Sequence, residues 1–185
     1  MATSSHQALG ACVSRNMLVD NNASKLARFL IQRSAANSLA LAADHTGPAD
    51  TTLAAVANLT ISNGVGFAGD YAVNASRRYK FRLVGNVTCN GSSGLKLDMQ
   101  GGTATFTQFA ATGIAYTASA VAVVAAASAA TALVAGTTAY TAIAVEGEFL
   151  AASNGTFAPR IACNASTTAP VLLAGMTLEL TEIAS

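Results

Sequence analysis

Two glutamates spaced by one residue, Glu146 and Glu148, are the best candidates for chemistry in this chain. On a β-strand they share a face and stand about 7 Å apart, a separation that suits the acid and base of a glycosidase. The same spacing also serves plain ion pairing, and a matching basic row exists at Arg78, Lys80 and Arg82. Pairing of the two rows, across strands or between subunits, is therefore the preferred expectation, with plainly solvated faces as the alternative. The histidines are His6 and His45. Asp44-His45 with nearby Asp50 resembles a fragment of a triad, but no GxSxG-type nucleophile accompanies it. It reads as a solvated turn.

Cys12, Cys89 and Cys163 are odd in number and widely spaced, and no CxxC pair is present. Free, buried thiols are expected, with no zinc site. The nine acidic residues are scattered, which argues against calcium, and no phosphate-binding glycine loop occurs. No catalytic residue, metal or cofactor is assigned. Carbohydrate recognition would need exposed aromatic rings. Tryptophan is absent, leaving Tyr71, Tyr116 and Tyr140 as candidates.

These side chains need strands to position them. From Thr51 onward the apolar pattern has period two. Tyr79, Phe81, Leu83 and Val87 fall on one face of a strand over Arg77–Cys89, with Arg78, Lys80 and Arg82 on the other. Asn90-Gly-Ser-Ser-Gly94 reads as a hairpin turn. Leu95, Leu97 and Met99 then point inward, with Lys96 and Asp98 outward. Further strands are expected over Leu53–Ile61, Thr103–Phe109, Thr112–Val124, Ala139–Ala151, Thr156–Cys163 and Met176–Ile183. A loop is expected over Ser62–Asn74, and a loop or short helix over Ala125–Thr138. About eight strands with alternating faces make an all-β, antiparallel β-sandwich, most simply a jelly roll.

Residues 1–50 read differently, as an extended or partly helical N-terminal arm. Ser24 is placed to cap a short helix over Lys25–Arg33. Arg15, Lys25, Arg28, Phe29 and Ile31 are its candidate partner-binding residues. The break Asp44-His-Thr-Gly-Pro48 places the domain boundary near residue 50, with the sandwich over 51–185.

Composition narrows the function. The formal net charge is +1 and charged residues make up 10% of the chain, against a usual value of about 25%. Neutrality gives no reason to expect nucleic-acid binding. A sparsely charged surface suits a chain covered by neighbours. The apolar run Ala118–Ala135 is mostly alanine and lacks basic flanks, so no membrane span is expected. The first residues lack the basic and apolar segments of a secretion signal.

Three stretches carry a resemblance. They are Arg77-Arg-Tyr-Lys-Phe-Arg-Leu with the hairpin Asn-Gly-Ser-Ser-Gly-Leu-Lys-Leu; Val145-Glu-Gly-Glu-Phe149 with Gly155-Thr-Phe157 and Arg160; and Val171-Leu-Leu-Ala-Gly-Met-Thr-Leu-Glu-Leu180. Together they resemble jelly-roll modules on the virions of tailed bacteriophages, the head decoration or cement proteins and tail-associated fibres. The resemblance implies a structural, non-enzymatic homotrimer, made in the host cytoplasm. It would sit on the head surface against the major capsid protein. A tail-fibre or receptor-binding tip that takes host carbohydrate is the alternative it implies.

Overall fold

Backbone amides must be satisfied wherever they are buried, and β-branched and aromatic residues at alternate positions satisfy them best in sheets. The computed structural model describes residues 38–56, 59–61, 71–165 and 168–183. Among these there is no helix, and every strand pairing is antiparallel. The strands are β1 (Ser38–Leu41), β2 (His45–Thr46), β3 (Ala54–Ala55), β4 (Leu59–Ile61), β5 (Tyr71–Val73), β6 (Arg78–Thr88), β7 (Leu95–Asp98) and β8 (Phe106–Tyr116). They continue with β9 (Val121–Ala126), β10 (Val134–Gly136), β11 (Ala142–Ala151), β12 (Gly155–Phe157), β13 (Arg160–Ala162), β14 (Val171–Leu172) and β15 (Thr177–Ile183).

The larger sheet runs β4-β1-β15-β6-β11-β8-β9, and a smaller one runs β10-β7-β13-β3. β14 also joins the larger sheet by pairing with β6 and carries β2 on its other side, while β5 and β12 form a separate two-stranded pair. Taking β1, β3, β6, β7, β10, β11, β13 and β15 as strands one to eight, the sheets read 1-8-3-6 and 5-4-7-2. That is jelly-roll connectivity: the first strand lies beside the last, and the chain changes sheet at every step except from strand four to strand five, which are neighbours in the smaller sheet. The β8–β9 hairpin is an insertion between strands four and five that widens the larger sheet.

One apolar cluster fills the space between the sheets. Phe81, Leu83, Val145, Phe149 and Leu178 come from the larger sheet, and Leu95, Leu97 and Ile161 from the smaller; all are buried. Phe157 packs its ring 4.6 Å from Phe149 and 5.0 Å from Phe81. The inward alternation expected of Tyr79, Phe81, Leu83 and Val87 holds along β6.

Several boundaries differ from expectation. The compact β unit begins at Asn37. Its β1 lies between β15 and β4, with Leu39 and Leu41 buried, so the division expected near residue 50 falls inside the domain. The strand expected over Leu53–Ile61 splits into β3 and β4, in different sheets. The hairpin expected at Asn90–Gly94 is instead a crossover, because β6 and β7 lie in different sheets and do not pair. The break expected between Thr103–Phe109 and Thr112–Val124 is absent, because β8 runs from Phe106 through to Tyr116. The chain reverses instead at Thr117, whose Oγ1 accepts from the Ala120 and Ser119 amides at 2.8 and 3.2 Å, a turn made by a hydroxyl. Thr156–Cys163 is broken at Pro159, which has no amide for a ladder. The stretch over 125–138 contains the end of β9, turns and β10. No helix among the described residues is long and apolar enough to cross a membrane. The short helix expected over Lys25–Arg33 lies outside the described residues, as does most of the loop expected over Ser62–Asn74; β5 begins at Tyr71.

Candidate functional site

With one face of the larger sheet packed inward, the alternate residues of its strands form the opposite face. Register sets what meets there. Glu179 of β15 lies opposite Arg82 of β6, which lies opposite Glu146 of β11, which lies opposite Thr112 of β8. One step along, Thr181 faces Lys80, Lys80 faces Glu148, and Glu148 faces Ala110. The next step aligns Ile183, Arg78, Leu150 and Gln108. The basic and acidic rows are thus neighbours in one sheet, with anions on both sides of Arg82.

Arg78 reaches diagonally, placing Nη1 3.3 Å from Glu148 Oε1 and donating from Nη2 to Gln108 Oε1 at 2.7 Å. At the neighbouring end, Arg77 Nη1 stands 3.6 Å from Glu182 Oε1. Both ion pairs are substantially exposed, so each contributes at most about 1 kcal/mol. The three cations Arg78, Lys80 and Arg82 balance the three anions Glu146, Glu148 and Glu179, which makes the face neutral while densely charged.

A groove of about 820 Å³ runs over this face. Lys80, Arg82, Glu146, Glu148, Glu179 and Thr181 line it, and Ala125–Ala127 form one wall. Its chemistry is alternating donors and acceptors over small side chains. A glycosidase would need one carboxyl set in apolar surroundings. Here the cross-strand neighbours of Glu146 and Glu148 on β6 are Arg82 and Lys80, and Glu148 pairs with Arg78, so both glutamates stand in a cationic and not an apolar setting.

The other candidates are dispersed. Asp44 Oδ1 accepts from the Ala174 amide at 2.8 Å, and Asp50 Oδ1 from the Thr52 amide at 2.8 Å. Both acids tie down turns and leave His45 without a triad. His45 sits on β2 opposite Leu172, and burial holds its imidazole below the ordinary value. Tyr71 and Tyr140 are buried, Tyr71 donating its hydroxyl to Leu178 O at 2.8 Å. Of the three tyrosines considered for ligand contact, Tyr116 is the exposed one.

Cys89 and Cys163 are both buried. Burial pushes the Cys89 thiol up, and its sulfur lies 3.2 Å from both Thr138 O and the Tyr140 amide. Cys163 sulfur contacts the Ala165 carbonyl. No group of His, Cys, Asp and Glu among the described residues is arranged to hold a metal ion. Arg15, Lys25, Arg28, Phe29, Ile31, His6 and Cys12 lie outside the described residues.

Asp98 corrects an expectation. Alternation placed it outward with Lys96, yet it is fully buried. Register puts Arg160 of β13 directly opposite on β7, and the guanidinium grips the carboxylate with both arms, Nε to Oδ1 at 2.9 Å and Nη2 to Oδ2 at 2.6 Å. The hydrogen bonding to Asp98 raises the Arg160 pKa further. This pair joins two strands of the smaller sheet and is structural. Glu179 and the hydroxyls of Thr112 and Thr181 were missed as members of the groove. Alternation in Leu178-Glu-Leu180 marks Glu179 as outward, but only the pairing of the last strand with β6 brings it to Arg82.

No protein-family model matches the chain, and no curated protein matches it in sequence.

Proposed function

We propose that this protein is a structural component of a tailed-bacteriophage virion, a capsid decoration or cement protein that stabilises the head through contacts between subunits. The observation that carries the proposal is the jelly-roll connectivity, together with the way its surface is built. One broad sheet face bears a neutral lattice of Arg, Lys, Glu and Thr rather than a single convergent centre. Such a face contributes direction and register to a protein contact without strong affinity for polyanions. Low overall charge fits a chain whose surface is covered by neighbours. On this reading the protein is not an enzyme and needs no cofactor. Its partners are further copies of itself, as a homotrimer, and the major capsid protein, with residues Arg15, Lys25, Arg28, Phe29 and Ile31 supplying arm contacts.

The groove favours a second reading. Paired donors and acceptors beside small side chains suit the hydroxyls of a sugar, as a tail-fibre or receptor-binding tip would require.

The two readings separate in one experiment. The full-length protein is incubated with empty heads assembled from the major capsid protein encoded with it, alongside a Phe29→Ala/Ile31→Ala double variant. The cement reading expects stoichiometric binding by the wild type, weaker binding by the variant, and heads that withstand higher temperature when decorated. A protein that ignores the heads but binds host-surface polysaccharide, with binding lost in Arg82→Ala, would replace it with the fibre-tip reading.

A further inference from the structure

The β8–β9 hairpin ends the larger sheet with an edge of unusual character. Among the described residues β9 has one sheet neighbour, β8. Half of its backbone N–H and C=O groups therefore point away from the sheet, as a template for another strand. Protein edges are ordinarily blunted by a lysine, a proline, a bulge or a covering segment. Val121-Ala-Val-Val-Ala-Ala126 carries no charge and no proline, and its register with β8 is unbroken from Tyr116↔Val121 to Ala111↔Ala126. No charged residue occurs anywhere between Asp98 and Glu146.

The side chains on this edge point the same way. Among the described residues the exposed large hydrophobics are Tyr116, Val121 and Val123, at 38%, 57% and 63% exposure. All three belong to this hairpin and to the outer sheet face, with Tyr116 opposite Val121 and Ile114 opposite Val123. Exposed apolar side chains are normal when scattered; concentrated along an open edge they mark a contact.

We infer that β9 is a homotypic assembly edge, pairing antiparallel with β9 of a second copy of this chain so that two larger sheets join into one. The strand is self-complementary for this pairing. A two-fold axis at Val123 sets it opposite Val123 of the second copy, and Val121 opposite Ala125 of the second copy. Outward residues then meet outward residues, as a continuous sheet requires. Charge also selects the occupant. A partner strand carrying Lys or Glu would bring an ion against valine and alanine, whereas a second copy brings an equally uncharged strip. The inference does not rest on the virion reading, since it concerns the edge strand and not the charged groove or the arm.

The test uses the full chain and point changes at exposed positions. Light scattering with size-exclusion chromatography is run at several concentrations on the wild type and on Val123→Lys. The expected result is a dimer, or a hexamer where the joined units are trimers, whose mass halves in Val123→Lys, with an unchanged far-UV circular dichroism spectrum. Directly opposite residues of antiparallel strands have Cα atoms about 4.5–5.5 Å apart, within the reach of a disulfide. Val123→Cys in a Cys12→Ser background should therefore form a covalent dimer on mild oxidation, and Thr107→Cys in the same background should not. A wild type that stays monomeric at every concentration would overturn the inference. So would an oligomer whose mass Val123→Lys leaves unchanged, which would assign assembly to another surface.

Discussion

Asp98 and Arg160 hold opposite charges where one of them has no access to water, and that fixes the cost of separating them. The carboxylate is fully buried and takes both arms of the guanidinium. Arg160→Ala leaves an uncompensated buried charge, which should destabilise the fold by about 3–5 kcal/mol. Chemical denaturation of the variant beside the wild type measures it. Asp98→Asn removes the buried charge while keeping the shape and should cost less; an equal or larger loss would contradict the charge argument. Phe149 is a comparable test of packing: its ring touches Tyr79, Phe106 and Phe157. Phe149→Ala should cost about 3–5 kcal/mol through lost burial and the cavity left behind. His45 supplies the pH dependence. Burial lowers its pKa from 6.5 in the folded chain, so the unfolded chain takes up a proton first as pH falls. The contribution of His45 is fully present above pH 6.5 and is lost on acidification through the lower folded value. Thermal unfolding should shift downward between pH 7.5 and pH 5.5 in the wild type, and by less in His45→Gln.

At the scale of elements, alternation in the sequence carries most of the legible information. Tyr79, Phe81 and Leu83 announce the inner face of β6, and the same rule sets Arg78, Lys80 and Arg82 on the outer one. What alternation cannot supply is which strands become neighbours. Glu179 meets Arg82 because the last strand pairs with β6, a contact made across a long stretch of chain. Asp98 obeyed its alternation but was covered by Arg160 from β13, so facing outward did not mean reaching water. Small residues hide other constraints. Gly94 has φ of +63°, and a Cβ there would lie 1.7 Å from Gly136 O. Gly94→Ala should therefore be strongly destabilising even though alanine is only one methyl larger. The cross-strand pair of Arg78 and Glu148 is a milder case. A double-mutant cycle on Arg78→Ala and Glu148→Ala should give a coupling below about 1 kcal/mol that shrinks as salt is added, because both groups are partly exposed.

At the scale of the whole molecule, the position of the N-terminal boundary decides what counts as the domain. Composition and the Asp44–Pro48 break put it near residue 50, since nothing in Ser38-Leu-Ala-Leu41 distinguishes a sheet strand from an arm. Topology makes the difference. β1 sits between β15 and β4, buries Leu39 and Leu41, and places the first jelly-roll strand beside the last. Losing it forfeits about 1.5–3 kcal/mol for each leucine from burial alone. It also leaves β15 as an open edge and β4 without a neighbour in its sheet. A chain starting at Thr51 should therefore fail to unfold cooperatively, or should aggregate through the exposed β15 edge. A chain starting at Asn37 should keep the cooperative transition of the full-length protein. Circular dichroism melts of the two truncations, read against the full chain, decide the matter. If the Thr51 chain melted as sharply and as high as the Asn37 chain, β1 would be dispensable, and the first strand of the roll would have to be sought elsewhere.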